Sequence, residues 1–364
     1  MEEQTLPLIL HELHEALGGN FTTLSGAEAV ADYSNPVLEN SYVRESAAVL
    51  DLGFRSRICL AGNDRKRFLH GQVTNNVSDL KTGEGCYAAL ITGKGRMQSD
   101  LTIFALENEL LLDFEPGLTA AITQRLDKYI IADDVQIIDV GPHYGLLSIQ
   151  GPKSDEVVKA LDLFPEIPGK DYQLTHVNTP TLGDCYLARV PRLRLAGLDL
   201  YIPNASLGAV ADKTITAAKE MGGGPIGWTA FNQGRIEDGI PRFGVDMDET
   251  NLPPEAGLEK TAISYTKGCY IGQEVIARIR TYGQVAKALR GIKMETGSPV
   301  PEKGMKIYNG DKEVGYVTSA AASARLGAVV ALGYVRRECN AEGTSLTVRV
   351  NELAVPGKIV PIPF

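Results

Sequence analysis

The chain has few of the residues that build metal centres and disulfide frameworks. Its 364 residues include five cysteines and five histidines, and no two cysteines share a C-x-x-C spacing. An odd number of widely separated cysteines favours free thiols over disulfides. His11 and His14 are three residues apart, whereas the helical zinc-protease motif places its histidines four apart. The sequence therefore predicts no metal site.

Long apolar segments and an excess of positive charge are also missing. The chain has 36 Lys and Arg against 45 Asp and Glu, a net charge of −9 at pH 7. A broad nucleic-acid-binding surface is not expected, because phosphate binding requires positive charge. No apolar stretch approaches the roughly 20 residues of a membrane-spanning helix. Glu2 and Glu3 have the wrong charge for a signal peptide, so we expect a soluble, cytoplasmic protein with no membrane partner.

What the sequence contains is a mixture of helical and strand-like segments, enough for two or three domains. Apolar residues repeat at helical spacing over 5–18, 118–130, 154–160 and 205–220. Strand-like runs occur at 47–60, 85–92, 100–106, 109–114, 134–139, 144–149 and 198–202. After about residue 285 the pattern changes to short strands separated by turns, at 289–294, 305–308, 313–320, 329–334 and 345–350. We expect an α+β region followed by a small all-β barrel or sandwich.

The segment 265–280, YTKGCYIGQEVIARIR, has features of a reactive site. Its apolar residues predict a helix that begins near Gln273, with Glu274 in the first turn. Cys269 would then lie just before the helix N-terminus and two residues from Lys267. A helix N-terminus and a nearby cation both favour the thiolate form of a cysteine. The alternative is that Cys269 is a small packing residue and Lys267 faces water.

Asp100 is a second candidate, at the base of a predicted hairpin in GKGRMQSDLTIF. Such an aspartate often serves only as a turn or cap residue. In a cleft its carboxylate could instead bind a cationic amine or a pterin N–H group, or act as a general base. The glycines at 222–224 lack the Lys-Ser/Thr ending of a phosphate-binding loop, and we interpret them as the cap of the preceding helix.

The segment KGCYIGQE at 267–274 resembles the signature of the YgfZ family, folate-binding proteins needed to maintain certain iron–sulfur enzymes. Other segments along nearly the whole chain also resemble this family, among them FLHGQVTNNVSDLKTGEG (68–85), GKGRMQSDLTIF (93–104), LSIQGPKS (147–154), GRIEDGIPRFGVDMDE (234–249), PPEAGLE (253–259) and VGYVTSA (314–320). The cysteine motif is specific to YgfZ. Several of the others are shared with the related T-protein, the aminomethyltransferase of the glycine cleavage system.

The resemblance implies an α+β fold in the form of a T-protein-like three-domain ring. Residues 1–48 and 141–250 would form one discontinuous α+β domain, and residues 49–140 a second that interleaves with it. Residues 251–284 would connect them to a C-terminal β-barrel, 285–364. The implied cofactor is tetrahydrofolate or a one-carbon derivative, bound at the central hole of the ring.

The motif matches also imply which residues form the site. Asp100 matches an aspartate of T-protein-like enzymes that contacts folate and assists transfer, and Tyr87 matches a folate-contacting tyrosine on the preceding strand. The implied catalytic residues are Cys269, Lys267 and Asp100. The implied cofactor-binding residues are Asp100, Tyr87, Arg235, Gln273 and Glu274.

Three positions differ from the T-protein pattern. Leu195 stands where T-proteins have a pterin-binding glutamate, Asp113 where they have an asparagine, and Phe231-Asn232 where they have Arg-Asp. A buried site that loses an acceptor for a pterin N–H group loses about 1–3 kcal/mol of binding per unpaired partner. We therefore expect folate binding that is weaker than in T-proteins.

These observations favour a YgfZ-like factor that uses tetrahydrofolate in the synthesis or repair of iron–sulfur enzymes and acts through Cys269. Its partners would be folate and, transiently, iron–sulfur client or assembly proteins. The alternative is a folate-dependent aminomethyltransferase of the T-protein class. A third hypothesis is a binding scaffold that kept the fold without the chemistry, so the sequence leaves open whether the protein is an enzyme.

Overall fold

The computed structural model describes residues 5–283 and 285–364; Gln284 and residues 1–4, with Glu2 and Glu3 among them, lie outside the described residues. The chain forms two compact units. Of the described residues, the first unit contains 5–88 and 100–232, and the second contains 89–99, 233–283 and 285–364. Among the described residues, no helix is long and apolar enough to cross a membrane.

A six-stranded sheet organises the first unit. In sheet order its strands are Leu174–Thr179, Gly183–Arg189, Gly197–Pro203, Tyr144–Gln150, Ala48–Asp51 and Gly224–Pro225. Neighbours are antiparallel except for the last pair, which is parallel. Successive side chains of a strand point to opposite faces, so Leu146 packs into one apolar core and Leu147 into another. Both faces of this sheet are therefore buried.

In chain order the helices of this region are His11–Ala16, Pro36–Glu45, Arg65–Gln72, Thr119–Asp127, Ser154–Leu161, Asn204–Glu220 and Trp228–Glu237. The second, fifth and sixth contact strands of the six-stranded sheet, whereas the third and fourth contact strands of a second sheet described below. Val157 and Val158 of the fifth helix and Leu207 and Val210 of the sixth pack into the same core as Leu147. A small antiparallel hairpin, Asn20–Leu24 with Ala27–Asp32, precedes the second helix.

A five-stranded sheet has the order Gly85–Ile91, Met97–Ala105, Glu109–Phe114, Ser56–Ala61 and Gln136–Asp139. The chain passes between the six-stranded and five-stranded sheets twice, at 52–55 and at 140–143. The first two strands form a hairpin with its turn at 92–96, referred to below as the Asp100 hairpin. Residues 89–99, which are this turn and the strand ends beside it, are grouped with the second unit.

One buried arginine joins the two passages between the sheets. Arg57 is 1% exposed, and its guanidinium donates to the carbonyl oxygens of Leu52 and Gly53 in the first passage, of Gly141 in the second, and of Tyr144 at the start of the strand that follows the second passage. The shortest of these hydrogen bonds, to Tyr144, is 2.7 Å. Arginine suits this position because its planar group offers five donors in fixed directions.

The second unit contains a closed six-stranded barrel. In barrel order its strands are Lys287–Glu295, Ala328–Arg336, Lys312–Ser323, Lys306–Asn309, Ser345–Val350 and Leu353–Val360. Alternate residues such as Ile292, Val317 and Val348 fill the barrel interior. Outside the barrel, this unit contains the helix Gln273–Tyr282 and the 3-10 turns Pro253–Ala256 and Arg337–Cys339.

The predicted mixture of α+β elements followed by a β-barrel is confirmed, and several boundaries are corrected. The predicted strand over 47–60 is wrong, because the passage at 52–55 divides it into two strands of different sheets. The first predicted helix, 5–18, is shorter and runs only from His11 to Ala16. The glycines at 222–224 do cap the preceding helix, since the N–H groups of Gly222 and Gly223 donate to its last carbonyl groups.

Some elements were not predicted at all: Asn20–Leu24, Ala27–Asp32, Pro36–Glu45, Leu174–Thr179, Gly183–Arg189, Trp228–Glu237 and Leu353–Val360. Two of them show why. Leu174–Thr179 is an edge strand whose polar residues are exposed, and Leu353–Val360 carries a proline and a glycine in its middle. Both lack the apolar run that marks a buried strand.

Candidate functional site

Asp100 and Tyr87 lie on the two strands of the Asp100 hairpin and contact each other directly. The Tyr87 hydroxyl donates a hydrogen bond of 2.7 Å to Oδ2 of Asp100. Burial and the nearby negative charge of Glu115 raise the pKa of Asp100 to about 6, although the Tyr87 hydroxyl and the Arg55 guanidinium act in the opposite direction. Burial also raises the pKa of Tyr87 well above its ordinary value, so this hydroxyl remains a donor. The pair can therefore hold or release a proton near neutral pH.

Next to this pair lies a chain of alternating charges, referred to below as the charged chain. Arg55 donates to both carboxylate oxygens of Asp113, at 2.9 and 3.1 Å, and to Glu115 at 2.7 Å. Arg192 donates to Asp113 and to Asp199, each at 2.8 Å. The charged chain connects the two sheets, because Asp113 belongs to the five-stranded sheet and Asp199 to the six-stranded sheet.

Asp113 and Asp199 differ in how far their charge is compensated. Burial alone would raise the pKa of Asp113, but the guanidinium groups of Arg55 and Arg192 outweigh burial and hold that pKa below its ordinary value. Among the described residues, the cationic partner of Asp199 is Arg192, and burial raises the pKa of Asp199. Asp113 is consequently a fixed anion with both oxygens engaged, whereas burial favours the protonated form of Asp199 and of Asp100.

At the positions where T-proteins have polar groups, most of the residues of this chain pack in an apolar core. Leu195 is partly buried against the apolar core of the first unit, and Phe231 is buried in the same core. Asp113 is held between two arginines. The carboxyl group of Asp100 therefore fits the N–H donors of a pterin better than any of these three positions does.

The cysteine motif forms a compact loop before the helix Gln273–Tyr282, whose predicted start is confirmed. Cys269 is exposed, whereas Cys59, Cys185 and Cys339 are buried. The Lys267 ammonium lies over the Tyr270 ring, 4.8 Å from its centroid. Gln273 accepts a hydrogen bond from the backbone N–H of Tyr270, so its amide closes the loop. Glu274 is exposed in the first helical turn.

Arg235 is buried at 3% exposure in a network inside the second unit. Its guanidinium pairs with Asp246 and donates to Ser319 at 2.9 Å. Thr318 and Ser319 both donate to the other oxygen of Asp246. These contacts indicate a structural role for Arg235 within the second unit. Its role in cofactor binding stays a prediction.

The structure thus brings Asp100 and Tyr87 together in the first unit, and Lys267, Cys269, Gln273 and Glu274 together in the second. Sequence reasoning missed Arg55, Glu115 and Arg192. The available signal was a charged residue within a strand of apolar neighbours, as in LLLDF at 110–114 and GLDLYI at 197–202. Such a residue needs a buried partner, but the pattern does not say which one.

Comparison with known proteins identifies matching domain families and similar relatives. The GCVT N-terminal domain matches residues 10–267, and the glycine cleavage T-protein C-terminal barrel domain matches residues 287–364. The chain is 27% identical to an aminomethyltransferase of Halothermothrix orenii, over 98% of both chains. It is 30% identical to an aminomethyltransferase of Thermosynechococcus vestitus, over 98% of this chain and 94% of the relative.

A solved structure also shares the fold. The glycine cleavage system aminomethyltransferase T of Bartonella henselae superimposes with a TM-score of 0.88 at 22% identity, over 98% of this chain and 97% of that one. The predicted T-protein-like fold is confirmed. The finer resemblance to YgfZ stays a prediction, and the names of the relatives favour the alternative of an aminomethyltransferase.

Proposed function

The chain belongs to the glycine cleavage T-protein family, and on that premise we propose that it binds tetrahydrofolate and transfers a one-carbon unit as an aminomethyltransferase does. In such a reaction an aminomethyl group arrives on a sulfur of a lipoyl carrier protein. Its methylene forms two C–N bonds to tetrahydrofolate as its C–S and C–N bonds break, so its nitrogen leaves as ammonium and the lipoyl arm leaves as the dithiol. The aminomethyltransferase relatives support this proposal over the YgfZ-like function that the cysteine motif favours. Tetrahydrofolate, when bound, would supply the acceptor for the one-carbon unit.

The observation that carries the proposal is the Asp100–Tyr87 pair. A partly buried carboxyl group with a pKa near 6 can accept a hydrogen bond from a pterin N–H group and can also take up a proton. Tyr87 fixes the orientation of that carboxyl group through its 2.7 Å hydrogen bond. A positioned acid–base group of this kind contributes typically about 10²–10⁴-fold to a rate.

The experiment compares wild type with Asp100→Asn in two measurements. Calorimetry with tetrahydrofolate should give a weaker affinity for the variant, by about 1–3 kcal/mol, because one acceptor becomes a donor. Methylene-tetrahydrofolate formation, measured with an aminomethyl-loaded lipoyl carrier protein, should fall by about 10²-fold or more. Asp212→Asn, an exposed carboxylate on the helix Asn204–Glu220, is the matched control and should change neither.

Two results would contradict the proposal. One is a wild-type protein that releases no heat with millimolar tetrahydrofolate. The other is a wild-type protein that binds folate but forms no methylene-tetrahydrofolate, which would leave a folate-binding protein with another task.

One observation favours a second candidate, the YgfZ-like maintenance of iron–sulfur enzymes in the cytoplasm. Cys269 is exposed on a closed loop, while Cys59, Cys185 and Cys339 are buried. An accessible thiol could meet a client or assembly protein directly. Cys269→Ser should then abolish rescue of iron–sulfur enzymes in cells that lack the native factor, whereas Cys339→Ser should not. A Cys269→Ser protein that folds and rescues fully would rule this candidate out.

A further inference from the structure

Two glycines of the second unit, Gly95 and Gly272, lie where the turn of the Asp100 hairpin packs against the cysteine motif. This packing of the two glycine segments is referred to below as the interlock. Gly95 is in the turn and Gly272 precedes the helix Gln273–Tyr282. Both have left-handed backbone conformations, with φ of +75° and +84°, which residues with a side chain rarely adopt. Each glycine also lies against the segment that carries the other.

Neither position has room for a methyl group. A Cβ atom on Gly272 would lie 2.4 Å from the carbonyl oxygen of Thr92 and 2.9 Å from the Ile91 side chain. A Cβ atom on Gly95 would lie 2.9 Å from the Val275 side chain. The first clash is the more severe, because a backbone carbonyl cannot rotate away as a side chain can. The two segments therefore touch backbone to backbone.

Further contacts hold the same turn from the other side. The N–H of Met97 donates to the carbonyl oxygen of Asn251 at 3.0 Å. Arg96 donates to the carbonyl oxygen of Thr250 and lies 3.8 Å from the Glu255 carboxylate. The turn is thus fixed between the 250–255 segment and the cysteine motif, all within the second unit.

We infer that Gly272 and Gly95 are positioning residues for the Cys269 loop, and that the Asp100 hairpin links ligand binding at Asp100 to the reactivity of Cys269. The hairpin is one continuous element, because Tyr87 and Asp100 lie on its strands and its turn packs against the Cys269 loop. Because the strands and the turn belong to the same hairpin, a ligand that holds the strands at Asp100 should reduce local opening of the turn and of the Cys269 loop packed against it. The second half of the inference rests on the proposed folate site.

Hydrogen exchange tests the interlock without any ligand. In Gly272→Ala the backbone amides of 92–96 and 268–273 should exchange faster by about fivefold or more. Gly283→Ala is a matched control at the other end of the same helix, since Gly283 has φ of +71° but nothing within 4 Å of an added Cβ. Its exchange in these two segments should stay within about twofold of wild type. Equal effects of the two variants would overturn the interlock.

Alkylation of Cys269 by iodoacetamide tests the link. Tetrahydrofolate should slow this alkylation in wild type and in Gly283→Ala, and should lose that effect in Gly272→Ala while still binding. If folate slows alkylation equally in Gly272→Ala, the ligand shields the thiol directly and the link through the hairpin is wrong. If tetrahydrofolate binds none of the proteins, the proposed function fails, and the exchange experiment still decides the interlock.

Discussion

The Asp100 region and the Cys269 loop obtain their chemistry in opposite ways. Asp100 is an ordinary carboxyl group whose pKa is set by burial, by Glu115 and by the charged chain beside it. Cys269 is exposed, and a hydrogen bond from the Tyr270 N–H group to Gln273 closes the short segment around it. The comparison teaches that a pKa set by distant buried charges cannot be predicted from the adjacent sequence. An exposed group beside the start of a helix can be located from adjacent residues, even though its loop also packs against the turn of the Asp100 hairpin.

The largest expected effect comes from breaking the charged chain. Asp113→Ala leaves Arg55 and Arg192 buried with one carboxylate fewer, and removal of one partner of a buried ion pair costs about 3–5 kcal/mol. Urea unfolding should show this loss in the free energy of unfolding. A change below about 1 kcal/mol would mean that the charged chain contributes little to stability.

A smaller effect is expected when the titration of Asp100 is removed. The folded-state pKa of Asp100, about 6, lies above its ordinary value, so its contribution to stability is present at low pH and is lost as pH rises through 6. Asp100→Asn should therefore match wild type near pH 4 and exceed it near pH 8, by on the order of 1 kcal/mol for a partly exposed carboxylate. Thermal unfolding at the two pH values measures the difference. A variant less stable at pH 8 than wild type would contradict the raised pKa.

The smallest effect on stability is expected at Cys269, in the second of the two regions compared. Cys269→Ser should change the free energy of unfolding by less than about 0.5 kcal/mol, because the side chain is exposed. Cys269 should nevertheless react with iodoacetamide before Cys185 and Cys59, since burial raises the pKa of Cys185 to about 11 and that of Cys59 further. Mass spectrometry of a time course gives the order. Earlier labelling of Cys185 would show that the first unit opens more readily than its burial indicates.

Much of the fold could be predicted because local patterns report burial. The strands 109–114 and 345–350 were placed correctly from their apolar and alternating residues alone. The passage at 52–55 was missed because nothing in the sequence distinguishes a strand that ends from one that crosses to another sheet. The crossing to the second sheet is accompanied by hydrogen bonds from Arg57 to carbonyl groups more than 80 residues away in the chain.

The candidate site was predicted in the same uneven way. Asp100, Tyr87 and the cysteine motif were found because they lie in short, recognisable segments. The partners that set the pKa of Asp100 were missed, since Arg55 and Glu115 lie 60 residues apart in the chain and pair only after both strands are in place. Charge compensation in a buried site depends on residues that are distant in the chain. A single sequence shows each charged residue but not which residue it pairs with.

The hydrogen bonds of Arg57 also bear on which fragments of this protein are suitable for separate expression. A fragment of residues 49–140 would contain the whole five-stranded sheet, yet it would lack the carbonyl oxygens of Gly141 and Tyr144 that accept from the Arg57 guanidinium. The Arg57 guanidinium, which is 1% exposed in the whole chain, would then lack its shortest hydrogen bond. We therefore expect a fragment that extends through Tyr144, the first residue of the strand Tyr144–Gln150, to be more stable than one that ends at residue 140. The predicted boundary at 140 would divide a network of hydrogen bonds that the whole chain keeps intact.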